Sequence, residues 1–207
     1  MMGVTGMKGL RPQPVASSRP PDAALVAALR GCLRRRGISL ALSGVDGSGK
    51  TFLARALRGT LAPASIPIRI EHRFRWSDNL LAIPALILWN RFFGRRLLVF
   101  NRCWVDNLAK LFPVTPRGHR WLRRVARCWA ALSPAFDRVL LLEVSYDEVR
   151  RRGRRLDREE YARLERNYAV LTAEARLYPV DSNGEVLTTV LSDLGCLTAA
   201  GGQRSTA

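Results

Sequence analysis

The chain has 207 residues and is 47% hydrophobic, enough length and apolar content for one packed domain and too much for a disordered polymer. Its 34 basic against 17 acidic residues give a net charge of +17, and nearly all the basic residues are arginine, a side chain suited to bidentate phosphate contacts. Cys32, Cys103, Cys128 and Cys196 are widely spaced with no C-x-x-C, which excludes a zinc framework or a disulfide scaffold and fits a reducing cytoplasm.

Residues 1–21 carry Gly, Pro, Ser and Arg without periodicity and read as a disordered tail with no secretory apolar core. A domain is expected over 22–196. Its first helix starts at Asp22, a helix-capping residue, and runs toward Arg36, with Gly37 as the stop. Ile38–Ser43 reads as a strand. A glycine-rich loop follows, then a helix to about Leu61, broken by Pro63. Ile66–Ile70 alternates as a second strand, and residues 78–93 as a helix kinked near Pro84. Within that helix, 80–89 is the most apolar stretch, too short to span a bilayer and better suited to a buried or interfacial helix. Leu97–Phe100 is a continuous apolar run, as in a strand covered on both faces.

Helical patterns follow at 104–111 and 118–132, then a buried strand at 138–144. An Arg-rich helix opens at Asp147, and a longer one spans 157–175. A weak strand at 177–181 and a helix at 184–195 complete the domain, with 197–207 expected as a second disordered tail. Strands alternating with helices imply an α/β fold. The expectation is three layers: a parallel sheet of about five strands with helices on both faces, and ligands at the carboxyl ends of the strands.

The chemistry concentrates in Gly44-Val45-Asp46-Gly47-Ser48-Gly49-Lys50-Thr51, which fits G-x-x-x-x-G-K-[ST] between a strand and a helix. Glycines let the backbone lie against a phosphate chain, and N–H groups at a helix N-terminus attract its charge. Lys50 is placed for the β- and γ-phosphates of ATP, and Thr51 for Mg²⁺. Beyond the loop, Arg102 ends a buried strand where a cation can face the crevice; the plain alternative is a surface arginine. Arg150, Arg151, Arg152, Arg154 and Arg155 surround Gly153, as in a mobile lid near 150–158 or, alternatively, a solvated basic face. Arg154 and Arg155, past the glycine, are the most able to swing. Arg73, Phe74, Arg75 and Trp76 follow the second strand and suit a phosphate and a stacked base, although the aromatics suit core packing equally well. His72 and His119 belong to no metal-spaced cluster, and Tyr161 and Tyr168 share a helical face and read as packing residues.

From Ile38 to Leu194 the chain resembles the thymidylate kinase family of P-loop nucleoside monophosphate kinases. The loop is similar to that family's G-x-D-G-x-G-K-[ST]. Asn101-Arg102-Cys103-Trp104-Val105-Asp106 lies where the family carries D-R-[YF]-x-x-[DS], and 136–144 resembles its P-D-x-x-x-x-L-D-V strand. Asn101 and Glu143 depart from aspartates of those motifs, and the family's R-E-P-G after the second strand is replaced by 69–76.

The resemblance implies transfer of the ATP γ-phosphoryl to a nucleoside monophosphate, dTMP first, in a cytoplasmic enzyme using Mg²⁺. Asp46, Arg73, Arg102 and Asp106 fall on the acceptor side; for Asp46 the plain alternative is a carboxylate that caps the loop. Lys50, Arg102, Arg154 and Arg155 are the candidates for catalysis. A different small-molecule acceptor, or a nucleotide-binding scaffold with little turnover, are the alternatives. Expected partners are ATP and a small phosphorylated acceptor. Nucleic acid is not expected, membrane-surface contact stays open without a spanning segment, and a homodimer is compatible with the chain.

Overall fold

A computed structural model describes residues 22–72, 82–132, 136–175, 177–182 and 186–203. Five strands form one parallel sheet among these residues: β1 (Ile38–Ser43), β2 (Ile68–Glu71), β3 (Leu97–Phe100), β4 (Arg138–Glu143) and β5 (Tyr178–Asp181), in the order β2-β3-β1-β4-β5. Ile38 pairs with Leu97, and Leu40 with Arg138, so β1 is central and its end opens between β3 and β4.

Side-chain alternation along the strands explains the layers. Leu40 and Leu42 of β1, Leu97 and Val99 of β3, and Leu140 and Leu142 of β4 face one core with α1 (Ala23–Arg35), α2 (Lys50–Leu61) and α8 (Val186–Gln203). Ala41, Leu98, Phe100, Val139 and Leu141 face the other, covered by α3 (Ile83–Trp89), α4 (Trp104–Leu111), α5 (Pro116–Leu132), α6 (Tyr146–Arg151) and α7 (Arg158–Ala175). The expected three-layer arrangement of parallel sheet and flanking helices is the one observed.

Local signals set most boundaries. Asp22 caps α1, its side chain accepting from the Ala24 N–H at 2.9 Å. Pro84 stands in the first turn of α3, a position where a missing N–H is tolerated, and the kink expected near it turns on residues 78–81, which lie outside the described residues. The expected start of that helix at 78 lies there as well. Two differences have physical causes. The helix closes at Asn90–Gly94 as a single π-helical turn rather than as regular α-helix.

The last helix also passes Gly195 and runs to Gln203, beyond the end expected there and into the segment expected as a tail. Gly195 faces α1, where an added Cβ would lie 3.4 Å from Leu25, and Leu194 and Leu197 pack into the same core. Tertiary packing thus overrides the glycine stop signal.

Candidate active site

The Gly44–Thr51 loop leaves the carboxyl end of β1 and enters α2, whose first residue is Lys50. Gly44, Gly47 and Gly49 have φ of +136°, +99° and +95°, backbone that side-chain-bearing residues rarely adopt. A Cβ on Gly44 would also stand 2.6 Å from the Leu142 carbonyl oxygen, so the loop passes β4 with no room to spare. Ser48 is fully buried, and its N–H donates to Val45 O at 3.1 Å, closing the turn.

Lys50 is 6% exposed. Its Nζ donates to Gly44 O at 2.5 Å and Val45 O at 2.9 Å, and reaches Ser48 Oγ at 3.4 Å. Burial lowers its pKa, while the Asp106 and Asp46 carboxylates pull it back up. A phosphate chain across the loop would act in the same sense as those carboxylates.

Asp46 projects from the loop toward β3 and α4. It takes Arg102 Nη2 on Oδ1 at 2.5 Å and Lys110 Nζ on Oδ2 at 3.1 Å. Burial would raise its pKa, but the Lys110 hydrogen bond and the charges of Arg102, Lys110 and Lys50 together hold the carboxyl below its usual range. Asp46 therefore gathers cations beside the loop.

Asp106 is 3% exposed and its oxygens face protein donors. Oδ1 accepts the Gly44 N–H at 3.1 Å and the Tyr168 hydroxyl at 2.9 Å, and Oδ2 accepts the Cys103 N–H at 2.9 Å in the capping box of α4. Expected on the acceptor side, it is instead bolted between the first loop glycine, α4 and α7. Burial and the Asp106 charge push the Cys103 thiol and the Tyr168 hydroxyl well above their usual pKa.

Asn101 follows β3. Its Nδ2 donates to Thr51 Oγ1 at 2.7 Å and lies 3.2 Å from His72 Nδ1, while its Oδ1 is buried with no donor. Thr51 Oγ1 stands at the start of α2, and Asn101 turns its amide nitrogen toward it, so a flip of that amide brings a second neutral oxygen to the same place. No group of three or more His, Cys, Asp or Glu side chains is arranged to hold a metal among the described residues. The donor set fits Mg²⁺ brought in with nucleotide phosphates, since that ion keeps several waters and takes few protein ligands. Glu71, at the end of β2, is buried and paired with Arg69 at 2.5 Å.

The segment linking α6 to α7 crosses the loop. Arg152 Nη1 donates to Gly47 O at 3.0 Å, and its Nε binds Glu148 at 2.8 Å. Gly153 takes φ +74°. Arg154 lies over Gly47 through its aliphatic stem, where a Cβ on the glycine would come within 2.9 Å of Arg154 Cγ. Arg155 is exposed. Arg73, with Phe74, Arg75 and Trp76, lies outside the described residues.

Four participants escaped the sequence reading. Arg152 is one of the five arginines around Gly153, of which Arg154 and Arg155, past the glycine, are the preferred candidates on sequence. Lys110 carried a signal, because it stands one turn after Asp106 in a chain with three lysines. His72 stands in no metal-spaced cluster and Tyr168 reads as a packing residue, and their contacts with Asn101 and Asp106 depend on the folded register of β2 and α7.

A cavity of about 480 Å³ opens beside Gly44 and Val45, between the end of β4 and α7. Glu143, Glu165 and Asp181 line it, and Tyr161 at its wall donates to Val144 O at 2.6 Å. The carboxylates oppose phosphate on this side, whereas Lys50, Arg102, Lys110 and Arg152 favour it around the loop itself.

No protein-family model and no curated protein matches the chain. Solved structures do share its architecture. Polyphosphate Kinase 2 from Arthrobacter aurescens TC1 superposes with a TM-score of 0.51 at 15% identity, over 87% of this chain and 77% of that one. A chain from Pseudomonas aeruginosa PA01, described as a candidate polyphosphate kinase 2, gives a TM-score of 0.56 at 13% identity. That match covers 89% of this chain, which spans about half (47%) of the Pseudomonas chain. At such identities the likeness establishes a shared fold and nothing further. It does not single out a thymidylate kinase.

Proposed function

We propose that the protein is an Mg²⁺-dependent phosphotransferase that binds ATP at Gly44–Thr51 and moves its γ-phosphoryl to a small phosphorylated acceptor. The observation that carries this reading is the loop itself: three positive-φ glycines, a buried Lys50 at the N-terminus of α2, and the Asp46–Arg102 pair beside them.

Phosphoryl transfer asks the protein for position and charge rather than covalent chemistry. In this reading the loop N–H groups and Lys50 hold the donor phosphates. Arg102, kept in place by Asp46, faces the acceptor phosphate, and Arg152, tied to Gly47 O, brings lid charge over the loop. Arg154 and Arg155 follow the Gly153 hinge and supply further cations on closure. Thr51 and Asn101 would hold Mg²⁺, which when bound supplies charge neutralisation across the β- and γ-phosphates.

The favoured acceptor is a nucleoside monophosphate, dTMP first, on the strength of the Asp46-bearing loop and the Arg102 position. A second reading, inorganic polyphosphate as the phosphoryl acceptor, is favoured by the two fold neighbours, both described as polyphosphate kinases. The test offers purified protein Mg-ATP with dTMP, other monophosphates, sugars or polyphosphate, and measures ADP release. Saturable turnover on dTMP supports the first reading, and turnover only with polyphosphate supports the second. ATP binding with no turnover on any acceptor would replace both with a nucleotide-binding scaffold.

A further inference from the structure

The end of the sheet opposite the loop carries a feature that nucleotide chemistry does not use. Where α3 passes into the π-helical turn, Leu88, Trp89, Phe92 and Phe93 are exposed, the two phenylalanines at 63% and 75%. Large apolar side chains this exposed, side by side, are uncommon on a protein that needs no partner there.

The turn is built, not frayed. Asn90 is fully buried; its Nδ2 donates to Arg96 O at 2.9 Å and Ile38 O at 3.3 Å, and its Oδ1 accepts the Arg96 N–H at 3.2 Å. Gly37 N donates to Arg91 O at 3.3 Å, and a Cβ on Gly37 would strike Asn90 at 2.3 Å. The entrance of β1 therefore fixes the aromatics in their exposed position.

The exposed charge around them is basic. No Asp or Glu occurs between Asp78 and Asp106, where the turn itself holds Arg91, Arg95 and Arg96, and none occurs between Asp22 and Asp46. The end of α1 delivers exposed Arg34 and Arg35 to the same end of the sheet, and the Arg96 guanidinium lies 5.7 Å over the Trp89 ring. Asp137, a carboxylate at this end, is already engaged by Arg36 at 2.7 Å and Arg91 at 3.5 Å. Two copies meeting through this face would bring like charges together. An anionic bilayer matches both features, with aromatic rings at the acyl boundary and arginines among the headgroups.

We infer that the Trp89–Arg96 turn is a docking face for an anionic lipid surface. A six-residue β1 separates this turn from the glycine loop by roughly 17 Å, so the docked protein keeps its nucleotide loop facing away from the membrane. The inference stands apart from the phosphotransferase reading and does not need it. Among the described residues no helix is long and apolar enough to cross a membrane, and the attachment is peripheral.

The test is flotation of the full chain with phosphatidylcholine vesicles, with and without roughly one-third phosphatidylserine. Wild type is expected to float with the anionic vesicles alone and to show a blue shift of tryptophan emission that Trp89→Phe loses. The double variant Phe92→Ser/Phe93→Ser is expected to bind at least tenfold more weakly with an unchanged melting temperature and unchanged ATP binding. Arg95→Glu, a fully surface change, is expected to weaken binding and flatten its salt dependence. Equal flotation of wild type and both variants would overturn the inference by assigning binding to overall charge. So would absence of wild-type flotation, or a wild-type dimer that the phenylalanine variant dissociates.

Discussion

Replacing Asp106 by alanine tests how the nucleotide loop is held. The carboxylate is almost fully buried and accepts from three donors: Gly44 N–H, Tyr168 O–H and Cys103 N–H. Each buried donor left unpaired costs about 1–3 kcal/mol, and the three share one acceptor group, so the sum is less than additive. A loss of about 3–5 kcal/mol is expected, which for a chain of this size lowers the melting temperature by roughly 10 °C. Asp106→Asn keeps the shape but turns an N–H against a donor, and should cost about 1–3 kcal/mol. Because Gly44 loses its anchor, ATP affinity should also fall about tenfold. Urea unfolding and calorimetric ATP binding measure the two effects. Tyr168→Phe combined with Asp106→Ala should show coupling above about 0.5 kcal/mol. An Asp106→Ala protein within about 0.5 kcal/mol of wild type, or no coupling to Tyr168, would refute the bolt.

Gly44→Ala forces a Cβ to 2.6 Å from Leu142 O at φ +136°; about 2–4 kcal/mol of stability and most ATP binding should be lost. Gly59→Ala, in α2 with open space around it, should instead be neutral or stabilising by up to about 1 kcal/mol. Equal effects of the two in unfolding curves would contradict the backbone argument. For Asp46 the folded pKa is depressed, so its stabilising share is present above the ordinary carboxylate range and is lost as pH falls through the folded value. The stability gap between wild type and Asp46→Asn should be widest near neutrality and close on acidification. With the side chain 41% exposed it should stay under about 1 kcal/mol. A gap that widens in acid would reverse the sign. Asn101→Asp places a carboxylate beside Thr51 and should lower the Mg²⁺ concentration needed for half-maximal activity severalfold; indistinguishable Mg²⁺ titrations would remove Asn101 from the metal side.

The parts legible in the sequence were those fixed by local chemistry. β1 and β3 are short apolar runs buried on both faces, and α2 begins where the glycine pattern ends, so their limits follow from the residues themselves. The π-helical turn was not legible: Phe92 and Phe93 look like the continuation of an apolar helix, and the Asn90 bonds to Ile38 and Arg96 that hold the turn form only in the fold. The passage of α8 beyond Gly195 likewise depends on α1 lying against the glycine.

Within the site, Gly44, Gly47, Gly49, Lys50 and Thr51 lie together where the spacing placed them, and Asp46 meets Arg102 across the crevice. Asp106 fitted an acceptor motif by position, yet its donors come from residues 44, 103 and 168, a set that the folded chain alone brings together. The choice of Arg152 among the lid arginines depends on its reach to Gly47 O, which no spacing encodes.

The measurement that bears most directly on the proposed chemistry follows labelled γ-phosphate from ATP to the best acceptor in wild type and in Lys50→Ala. Lys50 Nζ is the cation buried inside the loop, so its removal should abolish transfer while the circular dichroism spectrum is retained. Transfer by Lys50→Ala at the wild-type rate would contradict the assignment of the Gly44–Thr51 loop as the phosphoryl-transfer site.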